Sequence, residues 1–124
     1  MKLYKRLFTA NEVKDNFGYN LLARVRQGGF ATKEAAVEAW CDEAALSIHM
    51  LMMDNRGAAF AKNIYNINNE EIQNALKEAQ LYEMLFIVQN GNLNETSARY
   101  EDRNHHSEQA LSILYSNDIL IVGY

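Results

Sequence analysis

The chain has 124 residues, 48% of them hydrophobic, and a formal net charge of −4 at pH 7. This size and composition predict one globular domain, residues 1–124, and exclude an intrinsically disordered protein. Cys41 is the single cysteine, which excludes an intramolecular disulfide and a cysteine-rich zinc site. No apolar run approaches the roughly 18 residues of a membrane span. The charged start, "MKLYKRLFTANE", lacks the apolar stretch of a signal peptide, so we expect a cytoplasmic protein.

The charges are distributed unevenly along the chain. Residues 1–33 contain seven Lys or Arg and two acidic residues, for a net charge of +5. The remaining 91 residues contain five basic and fourteen acidic residues, for a net charge of −9. This asymmetry predicts a surface with a basic side and an acidic side. Either the acidic remainder neutralises the basic segment, or the basic segment meets an anionic partner.

The first 27 residues predict two short strands separated by a helical turn. Alternation over residues 2–8 is typical of a strand. Thr9 and Glu12 fit a capping box, in which each side chain satisfies a free backbone amide at a helix start, and Gly18 ends the turn. Residues 19–27 alternate again and predict a half-buried strand. This strand would bury Leu21, Ala23 and Val25 and expose Arg24 and Arg26.

A long helix is predicted after the double glycine. Thr32 is a suitable N-cap, and apolar residues recur at helical spacing from Lys33 to about Asp54. The second half of this helix, residues 44–53, is apolar almost all round. We therefore expect this half to be either the central element of the domain or part of a subunit interface.

Two segments are compatible with either helix or strand. Residues 58–67 favour a strand after Phe60. A capped helix follows, and residues 81–100 then contain an apolar run that ends in Asn90-Gly91, a strong hairpin signal. The alternative for this run is one long helix over residues 69–89.

The C-terminal part predicts one helix and one strand. The helix extends from about Asn104 to Tyr115, with Asp102 as its cap. The final run "DILIVGY" is rich in β-branched residues and predicts a buried strand. Together, the elements predict an α+β fold in which a small, mainly antiparallel sheet packs against about three helices.

The segment around the double glycine is a candidate ligand site. A helix N-terminus binds anions through its unpaired amides, and glycines allow an anion to approach the backbone closely. The glycine patterns of P-loop and Rossmann proteins are absent, so an ordinary turn between a strand and a helix is the competing interpretation. The candidate ligand-binding residues are Arg24, Arg26, Gly28, Gly29, Thr32 and Lys33.

The adjacent histidines His105 and His106 are candidates for acid–base catalysis, with Glu101 or Asp102 to orient one of them. Neighbouring residues on a helix diverge by about 100°, so the pair is poorly placed to bind one metal ion. The alternative is a half-buried His106 and a solvated His105. We assign no catalytic residue, no metal ligand and no cofactor from the sequence.

The methionines that follow His49 form a candidate interaction surface. Methionine packs adaptably and is frequent at binding surfaces, although packing in the core is the competing explanation. The candidate residues for contact with a partner or in a homodimer are His49, Met50, Met52 and Met53.

These features predict a small protein that is not an enzyme and that acts as an inhibitor or a sequestering protein. It would contact a protein partner or a small anionic ligand, whereas the net negative charge disfavours nucleic acid. The absence of proline and the frequent asparagine favour a phage or mobile-element origin.

Two alternative functions are compatible with the sequence. One is that of a domain that binds a nucleotide or phosphate through Arg24, Arg26, Gly28-Gly29 and Lys33. Another is a small enzyme that uses His105 or His106.

Overall fold

The computed structural model describes residues 3–90 and 106–122, and within these ranges the chain is helical and contains no β-strand. The predicted α+β fold with an antiparallel sheet is therefore wrong. The helices are α1 (Ala10–Phe17), α2 (Leu21–Arg24), α3 (Lys33–Arg56), α4 (Ala58–Asn63), α5 (Glu70–Gln89) and α6 (Glu108–Ser116), and a 3₁₀ turn (Ile64–Asn66) follows α4.

Side-chain caps determine where the main helices begin. Thr9 forms the predicted capping box with Glu12, and Thr32 accepts a hydrogen bond from a backbone amide at the start of α3, as predicted. Asn69 caps α5 in the same way. Ser107 caps α6. The predicted cap of that helix, Asp102, lies outside the described residues.

Helices α3 and α5 form an antiparallel pair around which the other elements pack. The first half of α3, with Trp40, shares a buried cluster with the second half of α5, with Met84 and Ile87. The second half of α3 shares another cluster with the first half of α5, and α4 and α6 pack there. Because α3 contacts other elements along its length, its apolar second half is a central element of the fold.

The strand predicted over residues 19–27 is wrong, and the burial pattern shows why. Leu21 and Val25 are buried, but Ala23 between them is exposed. Burial therefore repeats after four residues, as on a helix, and not after two, as on a strand. Leu21 begins the single turn of α2, and Val25 follows this turn in an extended conformation.

The strands predicted after Phe60 and in the apolar run after residue 80 are also wrong. The first region forms α4 and the 3₁₀ turn. The second belongs to α5, so the single long helix over residues 69–89 is confirmed and the hairpin is excluded. Asn90 ends α5 as its C-cap, and Gly91 lies outside the described residues.

Neither terminal segment predicted as a strand forms one within the described residues, and each bonds to a side-chain amide of a helix. Gln80 accepts a hydrogen bond from the Leu7 N–H and donates one to the Lys5 carbonyl. Asn55 likewise accepts from the Ile121 N–H and donates to the Ile121 carbonyl. One side chain thus provides the donor and the acceptor that a neighbouring strand would have supplied.

Candidate functional site

The loop between α2 and α3 is the most exposed part of the described chain. Every residue from Arg26 to Ala35 is exposed, which makes ten in succession. Val25 is only 1% exposed and holds the start of the loop against the core. Because Val25 is extended and points inward, Arg24 and Arg26 on either side of it point to solvent. This orientation matches the prediction, although the predicted strand is absent.

A hydrogen-bonded turn gives this loop a defined shape. The Phe30 N–H donates to the Gln27 carbonyl at 3.0 Å. The side-chain amide of Gln27 donates to the carbonyls of Phe30 and Ala31, each at 2.9 Å. Gly28 has a φ of 55°, a left-handed conformation that favours glycine. The turn therefore presents the ring of Phe30, which is 42% exposed, on the same loop as the exposed Arg26.

The predicted anion-binding residues lie together, but on an open surface. The Thr32 hydroxyl accepts a hydrogen bond from the Ala35 N–H at 3.1 Å, so it serves as the helix cap. A Cβ placed on Gly29 would meet no described atom within 4 Å. Lys33 and Glu34 both stand in the first turn of α3. The arrangement is an exposed loop beside a capped helix, and the described residues around it form none of the enclosing walls typical of small-ligand pockets.

Within the described residues, acidic side chains pair with only part of the basic N-terminal segment. Arg6 forms an ion pair with Glu38, and its Nε lies 3.6 Å from Oδ1 of Asp42. Across residues 3–90 and 106–122, no carboxylate forms an ion pair with the three cations of the loop region. These cations are Arg24, Arg26 and Lys33. Neutralisation within the chain is thus shown for Arg6, and contact of the loop cations with an anionic partner stays a prediction.

A buried carboxylate joins α3, α5 and the start of α6. Glu83 is 0% exposed and accepts hydrogen bonds from the Ser47 hydroxyl at 2.6 Å and the Ser107 N–H at 2.9 Å. Nδ1 of His106 lies 2.6 Å from the same carboxylate oxygen that Ser47 contacts. Burial raises the pKa of Glu83. Three partners outweigh this effect and hold the pKa of Glu83 below its ordinary value. They act through the hydrogen bond and charge of His106 and through the hydrogen bonds from Ser47 and Ser107.

This cluster is suited to joining helices and not to activating a nucleophile. In a catalytic triad, the serine hydroxyl and the carboxylate bind different nitrogens of the histidine. Here Ser47 and Glu83 both approach Nδ1 of His106, and the Ser47 hydroxyl donates to the carboxylate. The His106 side chain is 10% exposed, as in the half-buried alternative. His105, Glu101 and Asp102 lie outside the described residues.

The four predicted interface residues occupy different environments. His49 is 3% exposed, and its Nδ1 lies 2.8 Å from the Tyr65 hydroxyl. Burial lowers the pKa of His49 and raises that of Tyr65 to about 12. Met52 is fully buried, Met50 is partly buried, and Met53 is 37% exposed. Of the four, only Met50 and Met53 present side chains at the surface to any extent.

Sequence reasoning missed Gln27 and the Ser47–Glu83 pair. The double glycine indicates a turn, but no sequence motif marks the hydrogen bonds that the Gln27 side chain makes across it. Glu83 left a detectable signal, because in a helix over residues 69–89 it falls on the same face as Ala79 and Ile87. A carboxylate on an apolar helix face requires buried partners.

Comparison of the chain with protein-family models, curated protein sequences and solved structures gives no significant match. Among the helices that the structure describes, none is long and apolar enough to cross a membrane. Within the same ranges, no group of three or more His, Cys, Asp or Glu side chains is arranged to hold a metal ion.

Proposed function

We propose that this chain is a cytoplasmic, non-enzymatic binding protein that acts by occupying a partner, as an inhibitor or a sequestering protein does. Its contact surface is the loop surface, which consists of Arg24, Arg26, Phe30 and Lys33. The single cysteine, Cys41, supports a reducing compartment because it is buried and free.

The observation that carries this proposal is that the loop is both fully exposed and internally ordered. Exposed loops usually lose conformational entropy when they bind, and this loss weakens the complex. The two hydrogen bonds from the Gln27 side chain already hold the turn, so the Phe30 ring can be presented at a lower entropic cost. Arginine and large aromatic side chains are also the types that contribute most to protein interfaces.

The chemistry of the buried groups supports a non-enzymatic role. The Ser47 hydroxyl, Glu83 and His106 are engaged with one another between helices. Burial raises the pKa of the Cys41 thiol to about 12, so the nucleophilic thiolate is scarce at neutral pH.

The test is affinity capture from a lysate of the source cells with three versions of the chain. The Phe30→Ala variant removes the proposed contact, and Ile67→Ala is a matched control because both parent side chains are 42% exposed. We expect quantitative mass spectrometry to find a protein that the parent and Ile67→Ala retain and that Phe30→Ala retains at least about tenfold less. If Phe30→Ala recovers the same proteins as the parent, or if the parent retains none specifically, the proposal is wrong.

A further inference from the structure

The charges of the loop surface specify the chemistry of its partner. Residues 24–35 contain three cations and one carboxylate, that of Glu34, in a chain whose net charge is −4. We propose that the partner presents an acidic protein segment whose carboxylates meet Arg24 and Arg26 and whose apolar side chain contacts Phe30. This inference rests on the proposed function and names the class of partner.

Arg24 lies over an aromatic ring and is exposed to solvent. Its guanidinium lies 4.7 Å from the centre of the Tyr19 ring, and the Tyr19 hydroxyl accepts a 3.4 Å hydrogen bond from Gln89 on α5. A guanidinium stacked on an aromatic ring keeps its in-plane N–H groups available. These groups bind a carboxylate through two parallel hydrogen bonds. The Tyr19 ring thus acts as a support that aligns Arg24 toward a partner.

Phe30 distinguishes a protein segment from a small anion. Phosphate and other small anions leave an exposed aromatic ring in water, whereas a protein segment can cover the ring with an apolar side chain and gain free energy. No atom of the described residues lies within 4 Å of a Cβ placed on Gly29, so these residues form no wall there for a small ligand. The combination of cations with an exposed ring therefore favours an acidic segment that also carries an apolar residue.

The acidic remainder of the chain disfavours a nucleic acid. The 91 residues after Lys33 carry a net charge of −9, so a long polyanion that extends beyond the loop surface meets repulsion. A short acidic segment avoids this repulsion because its charge is confined to the contact. The same repulsion orients the partner toward the basic loop during the encounter.

The experiment is selection from a display library of random peptides with the full chain and two doubly substituted variants. Arg24→Glu/Arg26→Glu reverses two charges on the loop surface. The control variant, Lys14→Glu/Lys62→Glu, changes the net charge by the same amount at exposed sites outside the loop.

We expect the parent and the control variant to select peptides that contain several Asp or Glu and one large apolar residue. The best of these peptides should bind Arg24→Glu/Arg26→Glu at least about tenfold more weakly, and added salt should weaken the binding to the parent.

Several results would overturn the inference. These are selected peptides with no acidic bias, no selection at all, or equal binding of the acidic peptide to the charge-reversed variant. Tighter binding of oligothymidylate or inorganic phosphate than of the best peptide would also overturn it, in favour of a nucleic acid or a small anion. If capture of a cellular protein still depends on Phe30 in any of these cases, the proposed function stands and only the partner chemistry is wrong. Circular dichroism of each variant verifies that the fold is retained.

Discussion

At the scale of single residues, a buried amide side chain replaces a neighbouring strand. Gln80 is 0% exposed, and its side chain bonds the backbone of Lys5 at 2.9 Å and of Leu7 at 2.8 Å. The segment before α1 is therefore fixed to α5 without a sheet. A short alternating segment predicts an extended conformation but does not identify the group that pairs with it.

We expect Gln80→Met to lower the free energy of unfolding by about 2 kcal/mol, because both backbone groups lose their partner while side-chain volume is nearly kept. Urea unfolding measures the change. Gln89→Met, at the exposed end of the same helix, is the control and should change stability by less than about 0.5 kcal/mol. Equal effects of the two substitutions would show that the contacts of Gln80 contribute no specific stability.

At the scale of elements, burial of α5 on two sides explains why its apolar run was wrongly predicted to be a strand. Buried residues of α5 occur in adjacent pairs four residues apart, as in Ala75 and Leu76, then Ala79 and Gln80. This is a helical repeat, but a helix packed on two sides also shows a continuous apolar run like that of a buried strand. The second half of α3 is apolar almost all round for the same reason, since α4 and α5 both contact that helix.

The adjacent methionines of α3 provide a test of this packing. Met52 is 0% exposed and Met53 is 37% exposed. We expect Met52→Ala to lower the free energy of unfolding by about 2–5 kcal/mol because it leaves a cavity, and Met53→Ala to change it by less than about 0.5 kcal/mol. Thermal or urea unfolding of the two variants measures the contrast. Similar losses for both would contradict the orientation of α3 described above.

At the scale of the whole molecule, the buried Glu83 carboxylate links three helices that are distant in sequence. It connects Ser47 on α3 with His106 and Ser107 at the start of α6. A buried carboxylate that loses its partners is costly, so the cluster makes the position of α6 depend on α3 and α5. No local pattern around Ser47 indicates this connection.

The lowered pKa of Glu83 predicts a dependence of stability on pH. Ionised Glu83 contributes stability above its ordinary pKa of 4.5, and this contribution is lost as the pH falls through the lower folded-state value. We expect Glu83→Gln to be less stable than the parent by on the order of 3 kcal/mol near about pH 6, with the difference shrinking below pH 4.5.

Urea unfolding at a series of pH values tests this expectation. Glu71→Gln, at an exposed position in the first turn of the same helix, is the control and should follow the parent at each pH. A difference between Glu83→Gln and the parent that stays constant with pH would mean that the carboxylate adds no ionisation-linked stability.

The sequence by itself determined the local features of this fold, such as helix caps and the exposure of charged side chains. It identified the caps at Thr9 and Thr32 and the exposure of Arg24 and Arg26, because a cap depends on neighbouring residues alone and a charged side chain avoids the core. Tertiary structure decided between helix and strand. Peptide groups outside the helices need partners, and side-chain amides on α3 and α5 provide them for Lys5, Leu7 and Ile121. Tertiary structure also brought Ser47, Glu83 and His106 together, since long-range contacts leave no local signal.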